Sequence, residues 1–295
     1  MNNNNNLSPF AYQIGGSKQI YKYGNDKVAK PYNEIEEYFY KYFSKITILS
    51  QFIIPFYGTI RVDTSDGTQL DYIILEDLTS KFSKPCILDL KMGTRQYGIN
   101  CSIEKRERKI KRCKETTSEK LGVRLCGLYV YKGADYIANN IGVDNISPHK
   151  IWNVKKEKEW YFKNKYECRK IKLDEFRDNL IDYLSGNKRL RVELIDPLLI
   201  LLKELRQAIS MLNNIRLYGS SLLIIYEGEG DAYIQNRNVI VKIIDFTNCL
   251  DDKLYNNNEI KENMTKDDKG YIMGLNTLIK EFENIKFNKL NKSNI

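Results

Sequence analysis

The sequence predicts an α+β chain of two lobes, on three observations. Residues 9–78 alternate short strands with a single helix. An apolar strand there runs into acidic residues and then a polar connector, residues 79–84. The long apolar stripes of helical period all lie further along the chain.

Taken in order, Gln19 to Tyr23 and Lys27 to Lys30 predict two strands, with turn residues Gly24-Asn25-Asp26 between them. Residues 34–48 carry Ile35, Tyr38, Phe39, Tyr42, Phe43 and Ile46 at helical spacings. Residues 57–62 and 70–75 predict a hairpin joined through Asp66-Gly67, and Asp71 to Leu78 ends in Glu76-Asp77-Leu78. Residues 85–93 read PCILDLKMG, in which alternation puts Asp89 and Lys91 on one face and Leu88 and Leu90 on the other. Ser102 is the expected cap of a helix over residues 103–119, with Lys105, Arg108, Lys109 and Arg112 on one face. Residues 121–131 return to a strand, residues 132–172 are irregular and charged, and residues 173–184 are helical. Asp196-Pro197 predicts a helix start, with Leu198, Leu201, Leu202, Leu205, Ile209 and Leu212 as its core stripe. Residues 218–226 and 239–246 predict a ribbon ending in Ile244-Asp245-Phe246. Residues 251–269 predict a mobile loop, and residues 271–285 a closing helix.

Composition limits what such a chain does. Of 295 residues, 42% are hydrophobic and 12% aromatic, enough for a sizeable core and too many for a disordered chain. The net charge of +9 points to an anionic partner, whether nucleic acid, anionic lipid or a phosphorylated metabolite; plain solubility is the alternative. Six cysteines without a CxxC pair, and one histidine, argue against a zinc site. Dispersed thiols fit a reduced compartment, so a cytoplasmic or nuclear location is expected. No apolar run reaches the roughly 18 residues that span a bilayer, and residues 1–8 are expected to be a disordered Asn-rich tail.

Phosphoryl transfer asks for a lysine on the ATP phosphates, a carboxylate on Mg²⁺, a hinge for adenine, and cations facing the acceptor. The sequence offers each in chain order. Lys30 follows Val28-Ala29 on a strand, with Glu36 or Glu37 as partner; an ordinary edge lysine is the alternative. Glu76 to Leu78 is the candidate hinge, or a plain strand end. Asp245 is the candidate Mg²⁺ ligand, or a capping aspartate. Asp89 and Lys91 form the most informative pair, since a surface ion pair would contribute little. The basic helix is the candidate acceptor clamp, or a solvated face.

These residues resemble the inositol polyphosphate kinase family. Its PxxxDxKxG motif is met by Pro85, Asp89, Lys91 and Gly93, its SSLL motif by Ser220 to Leu223, and its IDF motif by Ile244 to Phe246. PCILDLKMGTRQYG, TSEKLGVRLCGLYVY and RLYGSSLLIIYEG are most similar to the inositol hexakisphosphate kinases of that family. The resemblance implies a protein-kinase-like fold with ATP between the lobes. The N-terminal lobe and hinge would span residues 9–78, and the C-terminal lobe residues 79–295. Residues 94–120 would be the inositol-phosphate-binding helical segment.

By motif, Lys30 would hold ATP phosphates, Glu76 and Leu78 would contact adenine through the backbone, and Asp89 would meet the ribose or otherwise order the nucleotide. Asp245 would bind Mg²⁺, supported by Ser220 and Ser221. Lys91 would bridge donor and acceptor, with Lys105, Arg108, Lys109 and Arg112 on the acceptor. The expected activity is phosphorylation of inositol hexakisphosphate by a monomer with no nucleic-acid or membrane partner. A trisphosphate 3-kinase or multikinase acting on a hydroxyl, or a promiscuous enzyme doing both, is one alternative. A basic module binding RNA or anionic lipid is another, although no RNP-type aromatic strand is present.

Overall fold

Side chains alternate across a strand, so each short apolar–polar run in the N-terminal part buries one face. The computed structural model describes residues 7–16, 18–63, 67–133, 159–212, 214–230, 239–254 and 268–292. The Asn tract 1–6 and residues 255–267 of the expected loop lie outside the described residues.

Five antiparallel strands form the first sheet: β1 (Ser8–Pro9), β2 (Tyr21–Tyr23), β3 (Lys27–Pro31), β4 (Phe56–Asp63) and β5 (Gln69–Glu76), in the order β1-β2-β3-β5-β4. Helix α1 (Glu34–Phe43) follows β3, and the Asn33 side chain caps it by accepting from Glu36 N. The apolar run 34–48 breaks after Phe43 and resumes as the single turn α2 (Thr47–Ser50).

The second sheet orders β11 (Ile240–Ile244), β10 (Ser221–Glu227), β6 (Pro85–Met92), β7 (Val123–Tyr131) and β8 (Trp160–Lys163), also antiparallel. A short pair joins β9 (Ile215–Arg216) to β12 (Leu250–Asp251). β6 is central and buried on both faces, with only Lys91 half-buried. Helices α6 (Phe176–Leu184) and α8 (Lys269–Lys292) pack on β6 and β7, and α7 (Ile195–Ser210) packs on α8. Together the two lobes make the two-lobed α+β fold that the pattern predicts.

Further boundaries differ from the sequence expectation, among them the helix expected over 173–184, which begins at Phe176, and the closing helix expected over 271–285, which spans Lys269–Lys292. The basic helix is shorter: α3 (Ile103–Lys114) ends where Thr116 Oγ1 donates to Arg112 O at 2.8 Å, and Thr117 Oγ1 to Val123 O at 2.8 Å. These β-branched hydroxyls compete with the helix ladder, and a separate turn follows, α4 (Ser118–Leu121). Asp196 is not a cap, because α7 begins one residue earlier from a 3₁₀ turn; its carboxylate pairs instead with Lys286 at 2.6 Å. The charged stretch 132–172 holds a strand, β8, and a capped turn, α5 (Lys165–Cys168), while residues 134–158 lie outside the described residues.

The lobes are tied where β11 meets the segment after α2. Ile243 N donates to Phe52 O at 2.8 Å, and Lys242 Nζ donates to Gln51 O and Ile53 O. Phe246 then sits among Phe39, Tyr40 and Phe43 of α1, with ring centroids 5.0–5.6 Å apart.

Behind the second sheet, Gly122 ends α4 with φ of 66° and accepts from Gly93 N at 2.7 Å. A Cβ there would stand 2.5 Å from Gly274 N and 2.8 Å from Gly270 O, both backbone atoms of α8. Gly122→Ala is therefore expected to lower unfolding free energy by about 2–4 kcal/mol, combining overpacking with left-handed strain. Urea denaturation checks this, and a loss under about 0.5 kcal/mol, the range of ordinary surface changes, would contradict the packing described.

Candidate active site

Two lysines from different sheets converge on one carboxylate. Lys30 on β3 donates to Asp245 Oδ1 at 2.6 Å and to Glu36 Oε1 of α1 at 2.6 Å. Lys91 on β6 approaches Asp245 Oδ2 at 3.5 Å and donates to Gly219 O at 2.7 Å. Asp245 takes this position with φ of 65°, a left-handed conformation that few non-glycine residues adopt. The neighbouring Phe246 N donates to Glu36 Oε1 at 3.3 Å, so the strained residue is fixed from both sides. Of the two acids weighed for Lys30, helix phase selects Glu36. Glu37 instead takes the exposed Lys41 and the Tyr32 hydroxyl.

The electrostatics follow from burial against pairing. Burial opposes charge on Asp245, but Lys30 and then Lys91 outweigh it and hold the carboxyl well below its usual range. Burial likewise opposes the Lys30 ammonium, which Asp245 and Glu36 hold well above its usual value. Glu36 shifts the other way: its burial, aided by Asp245, exceeds the help from Lys30 and raises it. Lys30 and Asp245 thus hold each other in their charged forms.

Beside this cluster lies an apolar pocket lined by Val28, Ile54, Leu75, Ile87, Leu223 and Ile225, bordered by residues 76–79. Glu76 and Leu78 both stand on that border, as the hinge expectation requires. Asp77 organises the bend: its carboxylate accepts from Thr79 N, Thr79 Oγ1 and Lys22 Nζ. Asp89 points to the same cleft face of β6 as Ile87 and Lys91. It is 4% exposed, and its Oδ1 has no hydrogen-bond partner among the described residues. Burial raises the Asp89 carboxyl against the pull of Lys91. The Gly15 backbone lies against this carboxylate so closely that a Cβ would be 2.1 Å from Oδ2.

The two serines divide their roles differently from the expectation. Ser220 Oγ donates to Leu217 O at 2.8 Å rather than to Asp245, because its turn points it away from the cleft. Ser221 sits on β10 across from Lys91 on one side and Ile244 on the other, beside Asp89. The basic helix also divides. Lys105 and Arg108 are exposed, whereas Lys109 and Arg112 are half-buried. Lys109 Nζ donates to Gln96 O at 2.7 Å and Asn248 Oδ1 at 3.1 Å. Burial, then repulsion from Lys105, lowers this ammonium to about 8. Gln96, Asn248 and the Gly219 carbonyl escape sequence reasoning, because each acts through a turn rather than through a patterned strand or helix.

Comparison with known proteins follows the same lines. The family model described as inositol polyphosphate kinase matches residues 72–283. Mouse inositol hexakisphosphate kinase 3 is 36% identical over 219 residues, covering 70% of this chain and 49% of that protein. Human inositol hexakisphosphate kinase 2 is 33% identical over 242 residues, covering 72% of this chain and 50% of that protein. The chain thus spans about half the length of these curated relatives. An inositol phosphate multikinase from S. cerevisiae, solved with ADP and Mn²⁺, shares the fold with a TM-score of 0.67 at 24% identity. The match covers 88% of this chain and 99% of that one.

Proposed function

This chain belongs to the inositol polyphosphate kinase family, and on that premise we propose that it transfers the γ-phosphate of ATP to inositol hexakisphosphate, forming a diphosphoinositol pentakisphosphate. One observation carries the proposal: Lys30 and Lys91, from opposite sheets, share the ionised Asp245 beside an apolar cleft. The names of the relatives support the choice of acceptor.

In this reading adenine lies against Val28, Ile87 and Leu223, with the backbone of Glu76 and Leu78 along its edge. The unpartnered Asp89 Oδ1 accepts from a ribose hydroxyl. A phosphate arriving at Lys30 competes with Asp245 for the ammonium, and this releases an Asp245 oxygen. That oxygen fits Mg²⁺, which prefers hard carboxylate donors together with substrate phosphates and, when bound, supplies charge that offsets the approaching phosphate oxygens. Lys91, anchored by the Gly219 carbonyl, stands between donor and acceptor.

Each phosphate monoester of the acceptor already carries about −1.5 to −2 charges near neutral pH, so it needs little deprotonation before attack. The obstacle is repulsion between two anions, and fixed cations address it by positioning and charge stabilisation. A hydroxyl acceptor would place the demand on proton removal instead.

Three measurements test this. With radiolabelled ATP, hexakisphosphate is expected to yield a pyrophosphate-containing product, and inositol trisphosphate little or none; the reverse preference would move the acceptor to a hydroxyl. Lys91→Ala and Asp245→Asn are each expected to cut turnover by roughly a thousandfold or more, and near-normal rates would refute their roles. Gly15→Ala is expected to raise the KM for ATP about tenfold, because its methyl group displaces the Asp89 carboxylate.

The pH dependence has a definite sign. Lys109 loses its charge near pH 8 in the free protein, so acceptor KM rises from pH 7 to 9. Polyanion binding favours the ammonium, so calorimetry near pH 8.5 in buffers of different ionisation enthalpy is expected to show proton uptake. Lys109→Met abolishes that uptake; identical uptake in wild type and variant would remove Lys109 from the acceptor site.

A further inference from the structure

Lys91 faces a second cation across the sheet. The register pairs it directly with Arg124 of β7. Like charges at directly opposed positions destabilise a sheet; the Asp245 carboxylate, 3.5 Å from Lys91, compensates the lysine but forms no ion pair with Arg124. A bulge creates the pairing. Asp89 pairs with Gly127 and Leu90 with Leu125, so Cys126 has no partner opposite it. In unbroken register Leu125 would face Lys91, and Arg124 would turn to the other side.

Arg124 is only 4% exposed, yet no carboxylate among the described residues pairs with it. Its guanidinium donates to neutral groups, Gln96 Oε1 at 3.3 Å and Cys126 Sγ at 2.7 Å, and its Nε–H has no hydrogen-bond partner among the described residues. Arg191, equally deep, shows the ordinary arrangement: its Nε donates to Glu193 at 2.8 Å.

Arg169, just after α5, repeats the anomaly. It lies over the Tyr166 ring at 5.3 Å, and among the described residues its buried Nε–H has no hydrogen-bond partner and no carboxylate pairs with it. Arg112 on α3 is near enough to both for their charges to act on one another. Burial lowers the Arg112 and Arg169 guanidinium groups, and repulsion within the trio lowers them further. Three elements, with α5 packed on β7, therefore carry half-buried or buried guanidinium groups that repel one another, none ion-paired to a carboxylate among the described residues. Uncompensated buried charge is costly, and a phosphate matches the guanidinium fork.

We propose that Arg112, Arg124 and Arg169 form a phosphate subsite beside Lys91 that holds one non-reacting phosphate of the polyanionic acceptor. The subsite rests on the acceptor class proposed above and adds β7 and α5 as a second wall to the basic helix. Holding a remote phosphate there fixes the acceptor while Lys91 attends the reacting one.

Arg169→Gln tests this, with Arg124→Gln as a parallel variant whose burial makes folding less secure. Arg169→Gln is expected to raise the hexakisphosphate KM roughly tenfold to a hundredfold, the loss of a charge-assisted contact, with partial rescue by Arg169→Lys. Its melting temperature without ligand is expected to stay level or rise, since a repulsion is removed, while the increase induced by hexakisphosphate shrinks. A lower melting temperature with a wild-type hexakisphosphate response and KM would overturn the subsite and make Arg169 structural. The melting response needs no turnover, so it separates the two proposals. Binding that depends on Arg169 in a chain without kinase activity keeps the subsite and removes the reaction; full activity indifferent to Arg169 does the converse.

Discussion

The Asp245 carboxylate is the constraint on which the rest of the cleft depends. It is the shared anion of two lysines that belong to separate sheets, so the sheets are held in register by charge as well as by apolar contact. Its own position is forced by a left-handed backbone angle, and that angle persists because Phe246 is locked among three aromatic rings of α1. Glu36 completes the tie by binding both Lys30 and the Phe246 amide. Ion pairs of this depth contribute little net stability once desolvation is counted. Their effect is geometric, in that they fix which atoms meet a ligand entering the cleft.

Much of this was legible in the sequence where a periodic element carries the residue. Alternation along PCILDLKMG puts Asp89 and Lys91 on one face, and the structure places both on the cleft. The apolar run ending in Ile244-Asp245-Phe246 likewise positions its carboxylate. Helical spacing collected four cations on α3 without saying how deep each would sit. Depth depends on the loop beneath the helix, where Gln96 and Asn248 receive Lys109. The choice between Glu36 and Glu37 waited on the Asn33 cap, which sets the phase of α1 against β3.

Arg124 shows why the remainder was hidden. Read as a strand, Val123 to Tyr131 puts Arg124, Cys126 and Leu128 on one side and gives no sign that the arginine belongs beside Lys91. A single unpaired residue, Cys126, reverses that assignment for everything before it. Bulges leave little trace in composition, because any residue tolerates the extra position. Arg169 was hidden for another reason: it follows a one-turn helix within a stretch too charged and irregular to show a period.

The cations of the cleft then fall into two groups. Lys30 and Lys91 are paired with a carboxylate that the chain itself supplies, and a phosphate reaching them must compete with that internal anion. Lys109, Arg112, Arg124 and Arg169 lack any such carboxylate among the described residues, and burial and mutual repulsion lower three of them, Lys109, Arg112 and Arg169. The first group gives order to the cleft before a nucleotide binds. The second stores repulsion that, under the proposed function, a polyanion would relieve on arrival, with a gain that would grow with the number of phosphates presented. Under the proposed function, a site built this way would favour the most highly charged acceptor that fits.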